Sequence, residues 1–227
     1  MNSPFNLSIK PTLDGSNTIF DERIGEAYHS MNGAFQESDH VFVVNGLIEY
    51  LNRTQKTSLS ILEIGFGTGL NFLGSAEYCI ENEIDLLYIG VENNFPGLDL
   101  LKQLNYQDKF PTAFTILENT LLNNVKATEF SVVQLKLINQ TAQETNYNQA
   151  VDLVFFDAFA PASQPEMWES DLITKIAACI IPNGFFISYS ITGKTKEILR
   201  KAGFKIERPK GAAGKRQMLR AVKLIDL

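Results

Sequence analysis

Apolar positions in this chain follow two alternating patterns. Some form short continuous runs, and others recur at helical spacing over longer stretches. The first pattern predicts buried strands and the second amphipathic helices. Asp14-Gly15, set between apolar stretches at 7–13 and 17–20, predicts an N-terminal hairpin. Residues 37–51 predict a helix with Ser38 as its candidate cap and Val41, Val44, Leu47, Ile48 and Leu51 on one face. A strand over 61–64, a helix over 70–80, a strand over 86–91 and a return helix over 95–104 follow, the last with Pro96 in its first turn. Residues 130–138 alternate and predict a strand, whereas 116–129 fit either a helix or a hairpin. Residues 151–156 predict an apolar strand, 165–180 a helix, 182–184 a turn and 185–189 a strand. A helix over 194–202 stops at Gly203, and 204–208 with 217–224 close the chain as paired strands. Strands that alternate with helices place the chain in the α/β class, with a mainly parallel sheet. Residues 1–55 are expected to form a hairpin-and-helix extension and 56–227 the core of one compact domain.

The stretch Ile61-Leu62-Glu63-Ile64-Gly65-Phe66-Gly67-Thr68-Gly69 carries the first chemical signal. A strand, a Gly-rich turn and a helix N-terminus form a nucleotide-type cradle. A dinucleotide loop has G-x-G-x-x-G spacing and seats a pyrophosphate. Here the spacing is G-x-G-x-G, and Glu63 would repel a pyrophosphate while suiting a cation. S-adenosylmethionine carries a sulfonium and an ammonium and no phosphate. The loop resembles the cofactor loop of a class I, Rossmann-like methyltransferase. The alternative is a tight strand-to-helix connection that binds nothing.

The three strand ends select the other candidates, because ligands of such sheets bind at the carboxyl ends of the strands. Glu92 can accept two hydrogen bonds from ribose hydroxyls, or it can be a helix N-terminal acid. Asp157, in Phe155-Phe156-Asp157-Ala158-Phe159-Ala160-Pro161, lies where an amine would meet the methyl donor. Methyl transfer to an amine needs an unprotonated lone pair held in line with the methyl group. A carboxylate can hold the amine N–H bonds and take the released proton. Phe159 can face the developing cation. Asp157 as an Asx-turn residue and Phe159 as plain packing are the structural alternatives.

Composition narrows the field. The chain has 227 residues, 44% of them hydrophobic, enough for a packed core. No apolar run is long enough to span a membrane, and the first ten residues do not read as a signal peptide. Cys79 and Cys179 read as buried thiols, and His29 and His40 lie in no metal-ligand cluster, so neither disulfide nor metal is expected. The net charge is −6, yet residues 194–227 hold eleven Lys or Arg against three acids. That asymmetry suits a polyanionic partner, or simply a solvated helix and hairpin.

The order of segments is more specific than any single motif. Phe20-Asp-Glu-Arg-Ile-Gly-Glu-Ala-Tyr28-His29-Ser30 is followed by ILEIGFGTGLNFL, VDLVFFDAFAPASQPEMW and PNGFFISYSITGKTKEILRKAGFKIERPKGAAGKRQMLRA. From about residue 13 to 221 this closely resembles the MnmC-like methyltransferase family, the methyltransferase domain of tRNA 5-methylaminomethyl-2-thiouridine biosynthesis proteins. The resemblance implies methylation of 5-aminomethyl(-2-thio)uridine at the tRNA wobble position. It implies Asp157 as the catalytic carboxylate and places Glu63, Gly65, Gly67, Gly69, Asn71 and Glu92 around S-adenosylmethionine. Family members often carry Gly-Asp-Ala after the third strand, whereas this chain has Gln140-Thr141-Ala142, so Thr141 and Ala142 are the candidates for the adenine side. Tyr28 and His29 become candidates for holding a flipped uridine, His29 alternatively making a structural hydrogen bond. Lys215, Arg216 and Arg220 become candidates for phosphates near the anticodon loop. The resemblance also implies a cytoplasmic, single-domain form without FAD. An amine methyltransferase or aminopropyl-type transferase for small molecules, or a catalytically silent RNA-binding module, are the competing functions.

Overall fold

The computed structural model describes residues 7–122, 127–130, 132–212 and 214–225. The N-terminal hairpin forms as expected: β1 (Leu7–Pro11) pairs antiparallel with β2 (Asn17–Asp21), and β3 (Glu26–Ala27) adds a third strand. The central sheet contains β4 (Ser58–Ile64), β5 (Asp85–Val91), β6 (Ala127–Phe130), β7 (Val133–Ile138), β8 (Val151–Phe156), β9 (Ile180–Ser188), β10 (Phe204–Glu207) and β11 (Leu219–Lys223). Its order is β10-β11-β9-β8-β4-β5-β7-β6. Five central strands run parallel, and β11 enters antiparallel between β9 and β10.

Both faces of this sheet are covered, which is why the central strands read as apolar runs. The two-residue period sends Ile61, Tyr88, Leu153, Phe155 and Phe185 into one core, with α3 (Leu70–Glu81) and α5 (Pro111–Leu122). Leu62, Ile64, Val91, Phe156 and Phe186 enter the other, with α6 (Ser170–Ala178) and α7 (Gly193–Lys201). Each fully buried aromatic among them contributes about 1.5–3 kcal/mol. The N-terminal arm shares the first core through Ile19 and Ala34. One strand position breaks the apolar run: Asp152 is buried, and Tyr50 Oη, Lys56 Nζ and the Ser60 amide and hydroxyl all donate to it.

Several elements differ from the sequence pattern. Residues 34–54 are one continuous helical segment, with α1 (Ala34–Ser38), a π-helical stretch Asp39–Ile48 and α2 (Glu49–Thr54). The wider π turns rotate the buried face relative to α-helical spacing. Phe42, Val43 and Gly46 are therefore buried, while Val44, expected inside, is 42% exposed. Ser38 caps nothing and hydrogen-bonds Asn71 instead. The expected return helix shortens to α4 (Leu98–Leu101) plus a 3-10 turn, with Pro96 outside it. Pro96 disfavours helix at Phe95, and the Asn94 amide is drawn to Glu92. The alternating stretch over 130–138 is two strands, because Phe130 pairs antiparallel with Val133; the unresolved choice over 116–129 becomes helix up to Leu122 and strand from Ala127, with 123–126 outside the described residues. The helix expected over 165–180 splits into a 3-10 turn and α6 at an extended Glu169. Strand β9 begins earlier than expected and absorbs Asn183, at φ 64°, in a register shift beside Val151.

Candidate functional site

Register places the chemistry. Ile64 pairs with both Val91 and Phe156, and Val91 with Ile138, so four parallel strands end level. The next residues, Gly65, Glu92 and Asp157, emerge side by side where strand order reverses around β4. A cleft of about 1150 Å³ opens there. Its walls include Tyr28, His29, Gly65, Gly67, Glu92, Thr141, Ala142, Asp157, Phe159 and Lys215, gathering most of the sequence candidates from six separate regions.

The glycine loop is held in a conformation that favours glycine. Gly65, Gly67 and Gly69 have φ of 82°, 52° and 77°. A Cβ on Gly65 would lie 2.7 Å from the Asp157 carbonyl oxygen, and one on Gly67 would press on the Tyr28 ring. Phe66 turns inward against Phe72, Tyr88 and Phe95. It fits because β5 has Gly90, whose Cβ would stand 2.2 Å from the Phe66 ring. The Gly67 amide donates to Glu92 at 3.1 Å and the Asn94 amide at 2.9 Å, so the Glu92 carboxylate is aimed across the cleft. Burial raises its pKa, while these backbone donors oppose the shift.

Glu63, Gly69 and Asn71 do not line the cleft. Glu63 is wholly buried beneath the loop, on the face covered by α3, because the strand period turns it there. Tyr88 Oη donates to its Oε2 at 2.7 Å, and Asn71 Nδ2 to its Oε1 at 2.6 Å. Burial and the neighbouring Asp157 charge raise its pKa well above the usual range. A direct cofactor contact from Glu63 or Asn71 is thus replaced by a role below the binding surface.

Asp157 accepts from Asn71 Nδ2 at 2.8 Å, and its own amide donates to the Ile64 carbonyl. Burial, reinforced by the Glu37 charge, pushes its carboxyl up to about 7, against the pull of Asn71 and Lys215. The loop beyond it is pinned by two donors: Tyr189 Oη to the Ala158 carbonyl and Trp168 Nε1 to the Phe159 carbonyl, both at 2.9 Å. Ser163 adds a hydrogen bond to Glu26 in β3, tying the loop to the N-terminal arm. Phe159 and Tyr28 meet edge to face with centroids 5.2 Å apart. These aromatic rings and Asp157 line the same cleft.

His29 Nδ1 and Thr18 Oγ share a hydrogen bond at 3.1 Å, and the same hydroxyl accepts from the His29 amide. Burial lowers its pKa to about 4, so the ring is neutral at physiological pH. The structural alternative for His29 therefore has its partner in Thr18, and His29 also lines the cleft. Lys215 donates to Glu37 at 2.6 Å and stands 4.1 Å over the Tyr189 ring. Arg216 is exposed and lies outside the cleft wall. Arg220 departs from its expected place on a phosphate-binding face. It is 9% exposed, with Nε on Glu207 at 2.8 Å and a second nitrogen on the Asn45 carbonyl. Its place in β11 turns it toward the helical segment 34–54, over the Phe185 ring.

Glu37, Tyr189 and Glu26 were absent from the sequence candidates. Tyr189 follows β9 directly, so the strand-end rule that selected Asp157 also points to it. Glu37 and Glu26 carry no sequence signal, since only the fold brings the arm over the strand ends. Six acids line the cleft (Asp21, Glu26, Glu37, Glu92, Asp157 and Glu166) against the cations Arg23 and Lys215. That lining and the glycine cradle fit a cationic cofactor without phosphates. Among the described residues no three His, Cys, Asp or Glu side chains are grouped to hold a metal ion, and no helix is long and apolar enough to cross a membrane.

Comparison with known proteins agrees with this geometry. A family model described as S-adenosyl-L-methionine-dependent methyltransferase matches residues 98–224. The tRNA 5-methylaminomethyl-2-thiouridine biosynthesis bifunctional protein MnmC of Methylobacillus flagellatus is 30% identical over 213 residues, covering 88% of this chain and 33% of that protein. Its counterpart in Dichelobacter nodosus is 30% identical over 224 residues, covering 92% of this chain and 35% of that protein. The chain thus spans about one third of the length of these curated relatives. The crystal structure of MnmC2 from Aquifex aeolicus superposes with a TM-score of 0.76 at 26% identity, covering 99% of this chain and 74% of that one. A magnesium protoporphyrin IX methyltransferase from Synechocystis shares the fold alone, with a TM-score of 0.51 at 15% identity. These similarities bear out the expected family resemblance, and with the match over more than half its length the chain belongs to the S-adenosyl-L-methionine-dependent methyltransferase family.

Proposed function

We propose that this chain methylates the exocyclic amine of 5-aminomethyl(-2-thio)uridine at the wobble position of tRNA, giving the 5-methylaminomethyl form. The observation that carries this reading is that Asp157 and the edge-to-face Tyr28–Phe159 pair line one acidic cleft beside the glycine loop. Acid and aromatic groups together select an amine, and the names of the curated relatives supply the nucleoside. The cofactor brings an electrophilic methyl group on a sulfonium. Gly65, Gly67, Glu92, Thr141 and Ala142 would hold it, Glu92 through the ribose hydroxyls.

The chain's own work is alignment and proton handling. Asp157 accepts an amine N–H and thereby turns the lone pair toward the methyl carbon. When bound, the cofactor would supply the methyl carbon to that lone pair and keep the electron pair of its carbon–sulfur bond. The methylated nitrogen then sheds its extra proton, for which the Asp157 carboxylate is the nearest base. Tyr28 and Phe159 flank the cationic nitrogen, and His29, neutral, supports the Tyr28 side of the wall. Lys215, in the cleft lining, and the exposed Arg216 beside it would meet anticodon phosphates, in keeping with an enzyme of the cytoplasmic tRNA pool. Nucleoside mass spectrometry of tRNA from cells lacking this chain tests the reading. Accumulated 5-aminomethyl nucleoside is expected. An unchanged profile would transfer the chemistry to a small amine.

A further inference from the structure

Beneath the cleft, one amide touches two carboxylates. Asn71 is 2% exposed and is the second residue of α3, just past the glycine loop. Both Nδ2 hydrogens are used, one on Glu63 at 2.6 Å and one on Asp157 at 2.8 Å. Its Oδ1 accepts from Ser38 Oγ at 2.6 Å. Tyr88 Oη supplies the second donor to Glu63. Every polar atom of this amide therefore has a partner that matches it. A flipped amide would set its oxygen against two carboxylates and leave the Ser38 hydroxyl facing N–H groups.

We infer that Asn71 is a positioning residue that aims the Asp157 carboxylate and favours its charged form, and that Ser38 fixes which way the Asn71 amide faces. This rests on the reading of Asp157 as the catalytic carboxylate. The side chain has few substitutes. Asp would set a third carboxylate against the other two, Leu would supply no donor, and Ser would supply one donor instead of two. The placement also joins three elements. Ser38 comes from the end of α1, Asn71 from the start of α3, and Asp157 from the end of β8. Cofactor loop and methyl-accepting site thus share one buried hydrogen-bond unit. Other titratable groups act on Asp157 as well: Glu37 from α1, Lys215 from the C-terminal loop, Glu63 beneath it and the neutral Tyr189 beyond β9, with Glu92 elsewhere in the cleft lining. Asn71 is the side-chain donor among them in direct contact with the carboxylate.

A donor to the ionised form lowers a carboxyl pKa, so removing it moves the titration upward. The test is a carbon-13 NMR titration of the Asp157 carboxyl in cofactor-free protein, with Asp157→Asn identifying the resonance. In Asn71→Leu the midpoint should rise by about one unit. In Asn71→Ser it should rise less, and in Ser38→Ala less again, because there the amide is merely freed to turn. Asn71→Ser and Ser38→Ala carry the test if Asn71→Leu does not fold. The acid limb of methyl-transfer kcat/KM should move in the same order. An unmoved Asp157 midpoint in any folded Asn71 variant would reduce Asn71 to a packing role and overturn the inference. The titration needs neither cofactor nor tRNA, so its outcome is independent of the substrate proposal.

Discussion

Ionising Asp157 adds negative charge to a wall that already holds Glu37 and Glu92, above the buried Glu63. The shifted carboxyl, with its pKa of about 7, is the form the proposed chemistry has to deprotonate. Methyl transfer should therefore rise with pH through about 7 and fall on its acid side, which a pH profile of kcat/KM measures. The same shift has a cost in stability. The folded protein holds this proton more tightly than the unfolded chain, whose carboxyl titrates near the ordinary value of about 4. This group's contribution to stability should accordingly decline as pH rises from about 4 to about 7. Asp157→Asn removes the buried charge while its amide oxygen can still accept from Asn71. At pH 8 it should unfold in urea with stability raised by about 1–2 kcal/mol, and turnover should drop by two or more orders of magnitude. Loss of both stability and turnover would show that Asp157 is structural. Asp157 and Glu92 were legible in the sequence because each follows an apolar strand. Of the partners that set the chemistry of Asp157, Asn71 was legible only as a cofactor contact and Glu37 not at all, because hydrogen-bond geometry and the arm's path across the strand ends leave no local pattern.

Between elements, the loop's shape depends on β5 as much as on its own glycines. Gly90 leaves the space that Phe66 fills, and Phe66 anchors the turn between Gly65 and Gly67. Gly90→Ala should displace that ring and cost about 1–3 kcal/mol in urea unfolding, with a parallel loss of S-adenosylmethionine affinity by calorimetry. Wild-type affinity in that variant would mean that the loop holds its shape unaided. The glycine triplet announced the cradle in the sequence, whereas Gly90 looked like an ordinary strand residue. Periodicity found the central strands, because two-sided burial writes itself as apolar runs. It failed over 34–54, where π turns shift the buried face and expose Val44. It failed again at Pro96 and Glu169, where a loop and a side-chain contact overrode helical spacing. Ser38 was noticed for its capping chemistry and in the fold serves Asn71.

Over the whole molecule, the basic charge of residues 194–227 is less concentrated than the sequence suggests. Lys194, Lys201, Lys205, Lys215 and Arg220 each meet an acid, and Arg220 shares Glu207 with Arg53. Formal charge along the sequence does not record these pairings. Arg220→Ala should lower stability, because it leaves part of a buried network unpaired, with tRNA affinity unchanged at fixed salt. Joint replacement of Lys215 and Arg216 by Glu should weaken tRNA binding at low salt and reduce the salt slope by about 2. Unchanged affinity and slope there would remove this pair from the tRNA contact. The most direct measurement is transfer of a labelled methyl group from S-adenosylmethionine to purified tRNA that carries 5-aminomethyluridine, followed by nucleoside mass spectrometry. Label should appear in 5-methylaminomethyluridine, and the Asp157→Asn protein should leave it in the cofactor. Label that reaches free amines but never this nucleoside would contradict the proposed substrate.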